Sequence, residues 1–177
     1  MADSIVAYRY AKSLFDLANE KNVVDKVNDD MLLFKKICDE NRQFAVVMSN
    51  PIVRHDKKLG ILKNIFENRV NDVTYSIFNV LTKKHRENLI YPIAEEFQKL
   101  YNEQKGIQKA TITTVSPLTD AQRKEFTALV AKATKKDVIL EEKINEDLIG
   151  GYVLKLEDRQ VDTSIRKKLN DLKLTLA

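Results

Sequence analysis

The sequence predicts an α+β protein, with an N-terminal six-helix bundle followed by a small C-terminal α/β domain. Up to about Lys105, apolar residues recur at the three- and four-residue spacings that are typical of helices. After Gly106 the pattern changes to an alternation of β-branched residues, which is typical of strands. The chain has 177 residues, of which 44% are hydrophobic and only four are glycine. This composition can fill a core and does not suit a loop-rich chain.

Turn signals divide the first part of the chain into six helical segments. Asn50 precedes Pro51, and a residue before proline avoids the helical region. Asp72 and Asn88 are plausible N-caps. The predicted helices cover residues 4–20, 24–39, 42–48, 53–67, 72–86 and 89–104. Because the connections between them are short, we expect a compact bundle, and we place a domain boundary between 1–105 and 106–177.

The second part of the chain alternates between strand and helix signals. Lys109–Val115 is β-branched and alternating, which predicts a strand. Thr119-Asp120 begins a helix that continues to about Thr134. The remaining predicted elements are strands at Val138–Ile144 and Tyr152–Leu156, and a final helix capped by Thr163 or Ser164 that ends near Leu174. This domain is too short for a doubly wound nucleotide-binding fold.

The net charge of +4 does not by itself indicate nucleic-acid binding. Acidic and basic residues are interspersed along the chain, as on an ordinary solvated surface, whereas a nucleic-acid binder usually concentrates its charge in a patch. We therefore expect no nucleic-acid partner. Five lysine pairs are interpreted as solvated helix faces: Lys35-Lys36, Lys57-Lys58, Lys83-Lys84, Lys135-Lys136 and Lys167-Lys168.

No motif in the sequence indicates catalysis, a cofactor or a metal. Neither of the glycine-rich phosphate-loop patterns, G-x-x-x-x-G-K and G-x-G-x-x-G, occurs. Gly150-Gly151 precedes a strand, so we interpret it as a turn with positive backbone angles or a close backbone approach. His55 and His85 do not have a metal-ligand spacing and are expected at the surface. Cys38 lies on the apolar stripe of its helix and is expected in the core.

The sequence gives no sign of a direct membrane anchor. The longest wholly apolar run, Phe44–Met48, has five residues, far fewer than a membrane span needs. The N-terminal stretch lacks the features of a secretory signal or a transit peptide. With a single cysteine, the composition suits a reducing cytoplasm. We expect any membrane association to go through a partner.

The first helix is more apolar than a core-facing helix needs. With residues placed about 100° apart, its apolar positions cover an arc of about 200°, roughly twice the usual width. The centre of this arc consists mostly of small residues, namely Ala7, Ala11, Leu14 and Ala18. One flank carries Val6, Tyr10 and Leu17, with Ser13 at its edge, and the other carries Tyr8 and Phe15.

The helix predicted at 72–86 repeats this arrangement. One flank carries Val73, Ile77 and Val80 and ends at Lys84, and another carries Phe78 and Leu81. Such helices are either surrounded by their own bundle or expose a groove. Two apolar flanks side by side would form a trough suited to an amphipathic helix of a partner. Tyr10 suits the rim of such a trough, because it combines an apolar ring with a polar hydroxyl.

The same segments resemble a known family. The opening AYRYAKSLFDLA is similar to the pattern A-x-x-Y-A-x-A-L-F-x-x-A of ATP synthase delta subunits and of the mitochondrial oligomycin-sensitivity-conferring protein. SNPIVRHDKKLGILKNIF resembles the N-P-x-x-x-x-x-x-K segment of that family. IFNVLTKKHRENLIYPIAEEFQKL resembles its fifth and sixth helices, with Arg86 at the position of the usual arginine.

The most specific match lies near the C-terminus. Residues 145–164 largely follow the family pattern D-x-x-L-I-G-G-x-x-x-x-x-G-D-x-V-x-D-x-S. Three positions depart from it: Asn145 replaces the usual aspartate, Glu157 the usual glycine and Gln160 the usual valine. The positions that match are interpreted as structural determinants of the domain: Leu148, Gly150, Gly151, Asp158, Asp162 and Ser164.

The resemblance implies a non-catalytic stator subunit at the top of the peripheral stalk of an F-type ATP synthase. In this family the helical bundle binds the N-terminal helix of one alpha subunit in a groove between its first and fifth helices. The C-terminal domain holds the C-terminal ends of the b subunits. We therefore expect one copy per complex, at the cytoplasmic face of a bacterial membrane. The expected groove residues are Val6, Tyr10, Ser13, Leu17, Val73, Ile77, Val80 and Lys84.

Three other functions remain open at this stage. A basic nucleic-acid-binding module predicts a one-sided positive surface and strongly salt-dependent binding. A small enzyme that works without a cofactor predicts a deep cleft with convergent titratable groups. A generic helical adaptor is compatible with the bundle, and the C-terminal motif is the feature that separates it from the stator hypothesis.

Overall fold

The computed structural model describes residues 2–156 and 159–176. Within these ranges the helices are Ala2–Glu20 (α1), Val24–Glu40 (α2), Arg42–Ser49 (α3), His55–Phe66 (α4), Asp72–Lys83 (α5), Ile90–Lys105 (α6), Asp120–Thr134 (α7) and Ile165–Leu176 (α8). The strands are Ile107–Thr114 (β1), Asp137–Ile144 (β2), Tyr152–Leu156 (β3) and Arg159–Asp162 (β4). Short 3-10 turns occur at Glu87–Leu89 and Glu146–Leu148. The predicted α+β class, a helical bundle followed by a small α/β part, is confirmed.

The chain divides into two compact units, one up to Asn102 and one from Glu103 onward. The helical unit is built around an aromatic cluster. The ring of Phe34 lies 5.4 Å from that of Phe78 and 5.6 Å from that of Phe66, centroid to centroid. All three side chains are closed to solvent, and burial of rings of this size is a major source of stability. The predicted core positions Leu14 and Cys38 are also buried.

A buried ion pair contradicts one of the lysine predictions. Lys57 is exposed as expected, but Lys58 is buried. The ammonium group of Lys58 donates to the carbonyl oxygen of Met48 at 3.0 Å and lies 3.5 Å from Oε2 of Glu87. A charge can be buried when it is paired and hydrogen-bonded, and this pair links α4 to the turn that follows α5.

A second buried polar contact connects α2 to the start of α5. Oδ2 of Asp30 accepts hydrogen bonds from the backbone N–H of Asn71 at 2.8 Å and from the hydroxyl of Thr74 at 2.6 Å. Removal from water disfavours the charged form, so the pKa of Asp30 is raised even though both donors act in the opposite direction.

The α/β unit has a four-stranded sheet in the order β2-β1-β3-β4. β1 pairs in parallel with β2 and antiparallel with β3, and β4 pairs antiparallel with β3. A small core forms where α7 covers the sheet, with Ala110, Ile112, Val130 and Leu154 all buried. Thr119 caps α7 as predicted, in a reciprocal arrangement with Gln122.

Several local predictions need correction. The cap of α5 is Asn71, whose side chain accepts from the N–H of Val73, and Asp72 is the first helical residue. Asn88 lies inside the 3-10 turn and does not cap α6. α5 ends at Lys83, earlier than predicted. The four-residue strand β4 was not predicted. Of the two candidate caps for α8, Ser164 fills the role, because its Oγ accepts from the N–H of Lys167.

Candidate partner-binding surfaces

The first candidate surface lies on α1 and α5, which contact each other in the helical unit. Leu17 and Val80 are 39% and 41% exposed, and Val6, Tyr10 and Ile77 are half-buried against the core. Ser13 and Lys84 are exposed at the edges, and the hydroxyl of Ser13 donates to the carbonyl of Arg9. We call this set the α1–α5 face: Val6, Tyr10, Ser13, Leu17, Ile77, Val80 and Lys84.

Val73 does not belong to this face, contrary to the sequence-based expectation. Its side chain is 4% exposed and packs in the core of the helical unit. Val73 lies in the first turn of α5, where Asn71 and Thr74 are tied to Asp30 of α2. This contact draws the start of α5 into the bundle, so Val73 is a packing residue and is not available to a partner.

The opposite flank of α1 is less suited to binding. Phe15 is buried and makes an edge contact with the ring of Phe97, 5.5 Å between centroids. Tyr8 is exposed. Because the larger apolar side chain of this flank is already covered by α6, the flank offers a partner little continuous apolar surface.

A shallow depression of about 330 Å³ lies at one end of the α1–α5 face, lined by Val6, Arg9, Tyr10, Ser13 and Arg86. Nη1 of Arg86 donates to the hydroxyl of Tyr10 at 3.1 Å, and its guanidinium carbon lies 6.0 Å from the centre of the Tyr10 ring. The sequence prediction placed Tyr10 at a rim but did not include Arg9 or Arg86 among the partner-binding residues. The family match at Arg86 was the signal that could have added it.

In the α/β unit, the backbone conformation at position 151 requires a glycine. Its φ is +77°, and a Cβ atom there would lie 2.5 Å from the carbonyl oxygen of Thr163. A Cβ on Gly150 would instead meet the movable end of the Ile165 side chain, at 2.6 Å. The predicted positive backbone angle and close backbone approach are therefore confirmed at Gly151, but not at Gly150.

The other motif residues surround this turn. Leu148 is buried in the 3-10 turn that precedes it. Oδ1 of Asp162 accepts from the N–H of Ser164 at 2.9 Å, and hydrogen bonds from the side chain and backbone of Ser164 hold the pKa of Asp162 below its usual value. Asn145, in place of the usual aspartate, accepts from the N–H of Asp147 at 3.0 Å, as a carboxylate would. Asp158 lies outside the described residues.

A second candidate surface, which the sequence prediction did not name, lies on α8. Ile165, Leu169 and Leu172 are spaced four and three residues apart, so they share one face of the helix. All three are exposed, Leu169 by 53%. The spacing of these residues in the sequence predicts a helix, and it is also the signal that could have indicated this face. This α8 face is a row of apolar side chains that remain about half exposed.

The two histidines lie closer together than their positions suggested. The rings of His55 and His85 are in edge-to-face contact, with centroids 4.6 Å apart. Nε2 of His55 also lies 3.0 Å from a carboxylate oxygen of Asp56. Among the described residues, no group of three or more His, Cys, Asp or Glu side chains is arranged to hold a metal ion. No helix within the same residues has the length and apolarity of a membrane span.

Comparison with known proteins decides the family. The profile described as ATP synthase delta (OSCP) subunit matches residues 6–176, nearly the whole chain. The chain belongs to the ATP synthase delta (OSCP) subunit family. The family predicted from the sequence motifs is thus confirmed, and the chain is a non-catalytic subunit of the peripheral stalk of an F-type ATP synthase.

Individual relatives agree with this membership. The ATP synthase subunit delta of Cytophaga hutchinsonii is 47% identical over 98% of this chain and 94% of its own length. That of Flavobacterium johnsoniae is 33% identical over 100% of this chain and 99% of its own. The fold matches a chain in the cryo-EM structure of the Toxoplasma gondii mitochondrial ATP synthase hexamer, with a TM-score of 0.81, 20% identity and 96% coverage of each chain.

Proposed function

We propose that the chain connects two parts of the stator: the helical unit binds the N-terminal helix of one alpha subunit of the catalytic head, and the α/β unit holds the C-terminal ends of the b subunits. One copy per complex serves this role at the cytoplasmic face of a bacterial membrane. The domains concerned are 1–105 and 106–177. The subunit reaches the membrane only through its partners and needs neither a cofactor nor nucleic acid.

The α1–α5 face is the observation that carries this proposal. Leu17 and Val80 are large apolar residues left substantially exposed, and they lie beside half-buried Val6, Tyr10 and Ile77. An amphipathic helix that lies in a groove buries apolar residues of this kind along one side. Aromatic and aliphatic anchors in such an interface contribute most of the binding free energy, and the charged rim contributes less.

The α8 face supports the second half of the proposal. Ile165, Leu169 and Leu172 form an apolar row, and monomeric proteins rarely leave such rows uncovered. A helical end of a b subunit could pack along it by the same interdigitation of side chains that joins helices within a domain. At about 100° per residue, Lys168 lies beside this row and would form part of its charged rim.

The proposed function is mechanical. Rotation of the central rotor exerts torque on the head, and the stator must hold the head still. Its joints must therefore dissociate slowly, and nanomolar affinity corresponds to about 12 kcal/mol. A well-packed helix in an apolar groove can reach this range. The presence of one surface on each of two compact units suits a connector that binds one partner with each unit.

The experiment is a titration of the full chain with two synthetic peptides, one from the N-terminus of the alpha subunit and one from the C-terminus of the b subunit of the same complex. We expect each peptide to bind, and neither to displace the other. Leu17→Ser should weaken the alpha peptide only, and Leu169→Ser should weaken the b peptide only. Loss of both peptides in one variant, or competition between them, would contradict the assignment of separate surfaces.

A further inference from the structure

Among the side chains that the structure describes, the basic end of the α1–α5 face has no acidic counterpart. Arg9 and Arg86 line the depression at this end together with Tyr10, and Lys84 lies at the end of α5. In the part of the chain that the structure describes, the side chain of Arg86 has one hydrogen bond, to the hydroxyl of Tyr10, and neither arginine lies within 4.0 Å of a carboxylate.

The carboxylates that the structure describes on these two helices lie elsewhere. Asp16 is paired with Lys12 at 2.9 Å, on the polar side of α1. Asp72 is in the first turn of α5, at the end away from Arg86. A guanidinium offers several N–H donors in one plane, so Arg86 keeps donors for a further partner while Tyr10 holds its position.

We propose that Arg86 and Arg9 form a carboxylate-binding notch, and that the helix bound on the α1–α5 face carries an aspartate or glutamate that enters it. This inference rests on the proposed function, and it adds to it the chemistry of the occupant. The partner helix is therefore amphipathic with one acidic residue at the edge of its apolar face, and that residue fixes the position of the helix along the groove.

The physical reason is that the notch combines charge with a partly apolar wall. Arginine binds carboxylates through two parallel hydrogen bonds, which give directional recognition as well as energy. Tyr10 supplies a ring beside the guanidinium, and Val6 supplies an apolar wall. Apolar anchors alone allow a helix to slide by one turn, whereas a single charged contact at one end of the groove selects one register.

The test uses the full chain and the synthetic alpha-subunit N-terminal peptide, with affinity measured by calorimetry. Arg86→Gln and Arg9→Gln remove one charge each, and Arg42→Gln, at the exposed start of α3, is the matched control. In parallel, each Asp and Glu of the peptide is replaced singly by Asn or Gln. We expect about a tenfold loss for Arg86→Gln, a smaller loss for Arg9→Gln and less than about a twofold change for Arg42→Gln.

The decisive result is an energetic coupling between Arg86 and one acidic residue of the peptide. At one acidic position of the peptide, the amide substitution should weaken binding to the unmodified chain about tenfold and have little further effect on Arg86→Gln. If Arg86→Gln and Arg9→Gln behave as Arg42→Gln does, or if no acidic position couples, the notch is wrong while the groove assignment stands. If the unmodified chain does not bind the peptide, the groove assignment itself is wrong. If Arg86→Gln does not fold, the same peptide series is measured on Arg9→Gln and on the unmodified chain, and coupling at one acidic position again tests the notch.

Discussion

Lys58 and Glu87 form an ion pair that is closed to solvent, with Nζ 3.5 Å from Oε2 and side chains that are 5% and 6% exposed. The other carboxylate oxygen of Glu87, Oε1, has no hydrogen-bond partner among the described residues. The pair joins α4 to the turn that leads into α6, so it contributes to how the helices of the bundle are held together.

Removing one member of this pair should be strongly destabilising. Lys58→Met keeps the length of the side chain but leaves the carboxylate of Glu87 buried and uncompensated, which typically costs about 3–5 kcal/mol. The exposed neighbour provides the control, since Lys57→Met should change stability by less than about 0.5 kcal/mol. Urea denaturation followed by circular dichroism measures both. Similar unfolding midpoints for the two variants would show that the pair is not an important contact.

The glycines should differ in their tolerance of alanine. Gly151→Ala forces a side chain onto a residue with φ of +77° and against the carbonyl of Thr163, so we expect a loss of about 2 kcal/mol or more. Gly150→Ala meets only the end of the Ile165 side chain and should cost less. Gly60→Ala, within α4 and with no atom within 4 Å of the added Cβ, should stabilise by about 0.5–1 kcal/mol. Thermal unfolding of the three variants checks this order.

Substitutions in the groove of α1 and α5 should weaken partner binding, whereas substitutions in the core should lower the stability of the fold. Tyr10→Ala and Val80→Ala should keep the fold and lose on the order of 2 kcal/mol of binding to the alpha-subunit peptide, roughly thirty-fold. Leu14→Ala should instead lower stability by about 2–5 kcal/mol, because Leu14 is buried in the core. Melting temperature and peptide affinity are measured on the same preparations. If Tyr10→Ala and Val80→Ala melt early while the folded fraction binds normally, both residues belong to the core.

Asp30 should make the helical unit less stable as the pH rises through the acidic range. Its pKa is raised above the ordinary value of 3.8 in the folded protein, chiefly by burial, so the folded state binds the proton more tightly than the unfolded state does. The contribution of this group to stability is therefore greatest below pH 3.8 and falls as the pH passes through the raised pKa. Asp30→Asn should remove this component, because an amide oxygen can accept the same two hydrogen bonds without a charge.

The reference for Asp30→Asn is the unmodified chain. Relative to it, Asp30→Asn should lose less stability as the pH rises through the acidic range. Asp30→Ala tests the hydrogen bonds separately, since it leaves the N–H of Asn71 and the hydroxyl of Thr74 without their acceptor, at a cost of about 1–3 kcal/mol each. Equal pH profiles for the unmodified chain and Asp30→Asn would rule out the burial argument.

The sequence predicts helices and strands correctly where the apolar periodicity extends over many residues. It fails to locate a cap or a short strand where neighbouring residues could play the same role or where the segment is too short. Asn71 and Asp72 are both good caps, and only the contact with Asp30 decides between them. β4 has four residues, too few for an alternation to be recognised. Lys58 carries a side chain that is usually exposed, and its burial depends on Glu87, which is distant in sequence.

The candidate surfaces show the same limit. The wide apolar arc of α1 was visible from residue spacing, but the spacing alone could not say which flank the rest of the bundle covers. Phe15 is covered by Phe97 and Val73 is drawn into the core, whereas Leu17 and Val80 remain exposed. Such outcomes depend on where other helices pack, and this information is distributed over the whole chain.

The order of the strands has a consequence for how the protein is synthesised. The central strand β1 is translated first, but both of its neighbours in the sheet, β2 and β3, come later in the chain. β1 therefore leaves the ribosome with two open edges and stays open until both partners have followed. The whole helical unit has been synthesised before that point. Because domains generally fold as units during synthesis, we expect the helical unit to fold before the last strands of the sheet have been synthesised.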